Sequence, residues 1–135
     1  MPNSPDTPKG LNILCIDGGG VRGLSSLLIL HEIMRRIRNA EAINVDPFEH
    51  FEFIAGTGTG GMSACMLGRL QMPIEEAIKE YVKLSKDVFK YKKWNGSTIY
   101  KGTKLREALR TMVRETTGNE AEMMNKGEMN NKCKT

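Results

Sequence analysis

Apolar and polar positions along the chain alternate between short unbroken runs and helical stripes. Leu11 to Ile16 is a short apolar run, with polar residues before it and three glycines after it. That pattern predicts a buried parallel strand. Leu24 to about Asn39 repeats apolar residues at positions 24, 27, 28, 30, 34 and 37, with Arg35, Arg36 and Arg38 near its end. It reads as a helix that is apolar on one side. Ala40 to His50 is a connector containing Pro47, and Phe51 to Ala55 is a second short strand. Met62 to Leu70 is a small-residue helix. Pro73 then opens a longer one, with apolar positions 74, 77, 78, 81, 82, 88 and 89. Asn95 to Gly102 is a loop. Thr103 caps a helix carrying Leu105, Ala108, Leu109, Met112 and Val113, and Gly118 ends it. Strand, glycine turn and helix, taken twice, argue for an α/β layer built on a parallel sheet.

Length and composition narrow this picture. The 135 residues suffice for one domain. The expected division is a disordered leader over 1–10, the domain over 11–118 and a polar tail or loop over 119–135. Cys133-Lys134-Thr135 looks like the start of a further strand. No apolar run approaches the roughly 20 residues of a membrane span, and the N-terminus lacks the pattern of a secretory signal. Cys15, Cys65 and Cys133 show no paired spacing, which points to reduced thiols inside a cell. An intracellular chain, cytoplasmic or on a membrane periphery, is the expectation. His31 and His50 are too few for a His-rich metal site and read as surface residues.

Charge is uneven. Residues 1–69 hold six Lys/Arg against seven Asp/Glu, and residues 70–135 hold fourteen against nine. The densest basic stretch, Lys86 to Lys93, is interleaved with Phe89 and Tyr91 and followed by Trp94. Basic plus aromatic residues suit anionic headgroups or nucleic acid. They equally suit a solvated helix end whose lysines favour the dipole.

Both glycine turns fall at strand C-termini, where open α/β sheets bind ligands. The first is Asp17-Gly18-Gly19-Gly20-Val21-Arg22-Gly23. Its successive N–H groups can form a nest for anionic oxygen, with Arg22 adding charge. A phosphate cradle and an oxyanion hole both use such a nest. Gly18 to Gly23 fits Gly-x-Gly-x-x-Gly, but no acidic residue ends the next strand as a dinucleotide fold requires. The second turn, Gly56-Thr57-Gly58-Thr59-Gly60-Gly61, has the strand-to-helix placement of a nucleophile elbow, Gly-x-Ser-x-Gly, with Gly58 at the centre. Gly56 to Ser63 also fits a phosphate loop except that Met62 replaces its lysine. Purely structural turns remain a third reading.

Asp-Gly-Gly-Gly-Val-Arg-Gly, followed some 35 residues later by Gly-Thr-x-Thr-Gly-Gly, resembles the patatin-like phospholipase family, its fungal members most. The similarity extends from Leu11 to about Gly118, an N-terminal portion of the family domain. It implies a three-layer α/β/α sandwich with a mainly parallel sheet, here truncated. It also implies hydrolysis of lipid acyl esters by a Ser-Asp dyad, without histidine, metal or other cofactor. The oxyanion hole would be Gly18, Gly19, Gly20, Val21, Arg22 and Gly23. The elbow would be Gly56, Thr57, Thr59 and Gly60 around position 58. Partners would be a lipid or acyl ester and a membrane surface, with neither nucleic acid nor nucleotide. Two departures count. Position 58 has no oxygen to acylate, and of Asp6, Asp17, Asp46 and Asp87 only Asp17 precedes a glycine. The resemblance therefore implies a hydrolase domain lacking both members of its dyad. The alternative is a non-catalytic lipid- or anion-binding, regulatory fragment.

Overall fold

Strand β1 (Ile13–Ile16) pairs in parallel with β2 (Phe53–Gly56), Ile13 opposite Phe53 and Ile16 opposite Gly56. The computed structural model describes residues 9–88, 102–118 and 133–135. Parallel pairing requires a crossover, and helix α1 (Leu24–Glu41) lies within it. Side chains alternate across the pleat. Ile16 and Ile54 join the core, while Ile13 and Phe53 stay 58% and 40% exposed. Past β2, the Ile54 N–H donates to the Lys134 carbonyl at 2.9 Å and the Lys134 N–H donates to the Glu52 carbonyl at 2.8 Å. Lys134 thus bridges Phe53 in parallel, as a third strand position at the free side of β2. The fold is α/β, with a parallel sheet and mostly helices around it.

Helix α1 buries Leu27, Leu30 and Met34, which share one face at helical spacing. It is not apolar on that side alone, because Leu28 and Ile29 are 51% and 63% exposed and Ile33 is 43% exposed. The connector holds an unexpected single turn, α2 (Pro47–His50). Its cause was present in the sequence: Pro47 sits at the first helical position, and the Glu49 carboxylate accepts the Asp46 N–H at 2.8 Å. Helix α3 (Thr59–Ala64) starts three residues before the expected boundary and passes into a π-helical turn, Cys65–Arg69. Helix α4 (Ile74–Val88) buries Ile74, Ala77, Tyr81 and Leu84. Helix α5 (Gly102–Thr117) packs on α4, which packs on α1.

One arginine ties these pieces together. Arg38, near the end of α1, donates to the Val45 carbonyl at 3.0 Å, to Asp46 at 3.1 Å and to Glu75 at 2.6 Å. It joins the helix, the connector and the start of α4.

Both histidines are structural neighbours of other groups: His31 lies 3.6 Å from Glu75, and His50 stands edge-on to Phe51. Phe89, Tyr91 and Trp94, residues 95–101 of the loop expected from Asn95 to Gly102, residues 1–8 and residues 119–132 lie outside the described residues, while Gly102 itself opens α5, one residue before the expected cap Thr103. No helix among the described residues is long and apolar enough to cross a membrane.

Candidate functional site

Because β1 and β2 are parallel and in register, the two glycine turns emerge side by side at one end of the sheet. The Thr57 N–H extends the ladder by donating to the Ile16 carbonyl at 3.1 Å. Two hydroxyls then stitch the turns together. Thr57 Oγ1 accepts the Gly18 N–H at 3.2 Å, and Thr59 Oγ1 accepts the Gly19 N–H at 3.1 Å. Two amides of the expected nest are thereby held by the threonines of the other turn. The Arg22 N–H donates to the Gly19 carbonyl at 3.0 Å, closing a 3-10 turn over Gly20–Gly23, and the Arg22 side chain is exposed.

Tyr81, on the buried face of α4, donates its hydroxyl to the Gly20 carbonyl. A Cβ at Gly23 would sit 2.2 Å from that hydroxyl oxygen, so glycine at 23 is what lets Tyr81 reach the turn. The sequence showed Tyr81 only as a member of an apolar stripe. Its phenol, the one polar handle in that stripe, was the available signal.

The second turn is an abrupt strand-to-helix reversal. Gly58 has φ 56° and ψ −127°, a left-handed backbone that side chains rarely adopt. The Gly60 N–H donates to the Thr57 carbonyl at 2.9 Å and the Gly61 N–H to the Gly58 carbonyl at 3.0 Å. A Cβ at Gly56 would fall 2.1 Å from the Gly60 carbonyl oxygen, and one at Gly60 would fall 2.1 Å from that of Ile16. A Cβ at Gly58 would find nothing nearer than the Gly18 Cα at 3.7 Å. Crowding therefore forces glycine at 56 and 60, whereas position 58 has room for a side chain. Ser63 offers no substitute hydroxyl at the surface, since it is buried and donates to the Thr59 carbonyl at 3.3 Å.

Beside Gly58 opens a cavity of about 610 Å³. Ile54, Met62, Leu70, Leu109, Met112 and Val113 line it. The chain thus sets an apolar space, floored by β2 and walled by α5, against the glycine turn. Cys65 also faces it, its thiol pushed up by burial. The sequence did not connect α5 to this site, because nothing in a single helical stripe says what it packs against. Among the described residues no group of three His, Cys, Asp or Glu is placed to hold a metal ion. Asp46 is engaged by Arg38, and Asp17 is exposed in the first turn.

The family model for patatin-like phospholipases matches residues 14–128, a span that includes both turns, β2 between them and the cavity wall formed by α5. The chain belongs to the patatin-like phospholipase family. Among its relatives, human calcium-independent phospholipase A2-gamma is 38% identical over 85 residues, covering 63% of this chain and 10% of the relative. Patatin-like protein 2 of Oryza sativa subsp. japonica is 32% identical over 103 residues, 72% of this chain and 25% of the relative. Phospholipase A I of Arabidopsis thaliana is 42% identical over 81 residues, 60% of this chain and 6% of the relative. This patatin-like chain therefore spans a quarter or less of the relatives it matches. No solved structure gives a significant match.

Proposed function

We propose that this patatin-like domain holds a lipid acyl group beside the Gly58 elbow without cleaving it through a residue at position 58. The observation that carries the reading is Gly58 itself. Its backbone has the sharp left-handed reversal of an elbow, with 3.7 Å of clearance for a Cβ, and it supplies no nucleophilic atom. The acyl chain lies in the apolar cavity, and its carboxyl or ester oxygen meets the first glycine turn. In that role the turn from Gly18 to Gly23 serves as an oxyanion nest through those of its amides that Thr57, Thr59 and the Gly19 carbonyl do not already hold, with Tyr81 fixing the turn. The ligand class is supported by the two relatives named as phospholipases and by a lining that offers an acyl chain apolar contact along its length.

The test has two arms. A fluorescent fatty acid is titrated into the chain and competed with unlabelled fatty acid, and saturable displaceable binding is expected. The same protein is assayed on a chromogenic acyl ester and with a fluorophosphonate probe. Turnover is expected at no more than about 10³-fold over water, the residue left to a serine hydrolase without its catalytic groups. Probe labelling at any serine, or turnover well above that level, would overturn the non-catalytic part of the proposal. Absence of fatty-acid binding would overturn the rest.

A further inference from the structure

Helix α5 has a second surface, unconnected with its packing. Arg106, Arg110 and Arg114 recur every four residues and are all exposed. On a helix that spacing makes one row. Leu109 and Val113, which line the cavity, lie three residues on from Arg106 and Arg110, so the two rows are neighbours. Lys104 adds a fourth exposed cation to the helix. Of its two acids, Glu115 is taken by Lys83 at 3.4 Å, and Glu107 alone stands near the row. The arginines of α1 are placed differently, for Glu32 binds both Arg35 and Arg36.

The geometry points to the Arg106–Arg110–Arg114 row as a docking surface for an anionic lipid bilayer. Charge complementarity selects the occupant's sign. The neighbouring row selects its kind, because arginines bordering an apolar cavity wall match an interface where anionic headgroups border acyl chains. Docking by this row brings the cavity wall formed by Leu109 and Val113 to the membrane level, so a lipid tail passes from bilayer to cavity along one helix. This inference rests on the acyl-binding reading for its purpose but not for its test.

The experiment is co-sedimentation of the full 135-residue chain with vesicles. One set is phosphatidylcholine alone, and the other is phosphatidylcholine mixed with phosphatidylserine. Binding to the mixed vesicles only is expected, and it should weaken as salt rises. Each basic residue near an anionic surface contributes about fivefold in partitioning, so the variant R106Q/R110Q/R114Q should bind roughly 100-fold more weakly. The charge-matched variant R35Q/R36Q/K79Q should bind within about twofold of the parent on the same scale. Circular dichroism melts of both variants identify any loss of fold; the first variant is expected to melt like the parent, and the second to lose only the small contribution of the exposed Glu32 pairs. Equal losses in the two variants would reduce the effect to net charge and overturn the proposal. So would undiminished binding of the first variant, or tighter binding of single-stranded RNA than of the mixed vesicles. Fatty-acid titration without vesicles separates the two readings. A chain that binds fatty acid but no vesicle keeps the cavity and loses the docking surface, and the reverse result loses the cavity alone.

Discussion

A Cβ added at each of three elbow glycines meets three different surroundings. At Gly56 and Gly60 it strikes backbone carbonyl oxygen at 2.1 Å, and at Gly58 it strikes nothing nearer than 3.7 Å. Gly56→Ala and Gly60→Ala should each cost more than about 3 kcal/mol, because backbone must move. Gly58→Ala should cost about 1–2 kcal/mol, the penalty of a left-handed backbone for a residue with a Cβ. Urea denaturation of the three variants checks the order, and an equal loss at all three would refute the account of the elbow. Gly58→Ser should fold with the same small cost and recover no ester turnover, since no Asp-Gly pair follows it in the chain to supply a base. Recovered turnover would mean that another residue accepts the proton. The sequence made the glycine spacing of this turn legible, along with the missing hydroxyl at 58. It could not tell a glycine required by crowding from one that leaves room, because that depends on which carbonyls the other strand presents.

Helices and strands were largely legible from periodicity, with β1, β2, α1, α4 and α5 near their expected positions. What escaped depends on contacts between elements. The two threonines beside Gly58 were legible only as flanking residues of the elbow, yet their hydroxyls bind amides some 40 residues away. Thr59→Val removes the acceptor for the Gly19 N–H and should cost about 1–2 kcal/mol. It should also loosen amide protection at Gly19, measurable by hydrogen exchange. Arg38 ties α1 to α4. Partial burial pushes the Glu75 carboxyl up, but the Arg38 hydrogen bond, a backbone hydrogen bond and nearby positive charge together hold the group below its ordinary value. Arg35 and Arg36 hold the Glu32 carboxyl at about 2. Groups lowered in this way stabilise the fold above their unfolded values near 4.5 and lose that contribution as pH falls. Asp46 opposes them, its carboxyl pushed up by burial and by Glu49. Thermal melts should therefore decline below about pH 4.5 as the two glutamates protonate. Arg38→Met should lower stability near neutral pH by about 2 kcal/mol and flatten the decline due to Glu75. A parent-like pH profile in that variant would count against the clamp.

At the scale of the molecule, one face of the sheet carries exposed Ile13 and Phe53, and α1 exposes Leu28, Ile29 and Ile33. Such surface favours self-association. Replacing Ile13 and Phe53 together by threonine should raise the concentration at which light scattering first rises, with little change in melting temperature. The apolar run Leu11 to Ile16 announced a strand, but its pattern did not reveal that only one side would be covered. The parallel register has a consequence of another kind. Ile13 and Phe53 are 40 positions apart, and no short hairpin can bring them together. The chain between them must be compacted, α1 included, before the ladder closes. The two glycine turns meet only after that ladder exists. Formation of the pocket is therefore a late event in refolding, and helix signal should return in stopped-flow measurements before fatty-acid binding does.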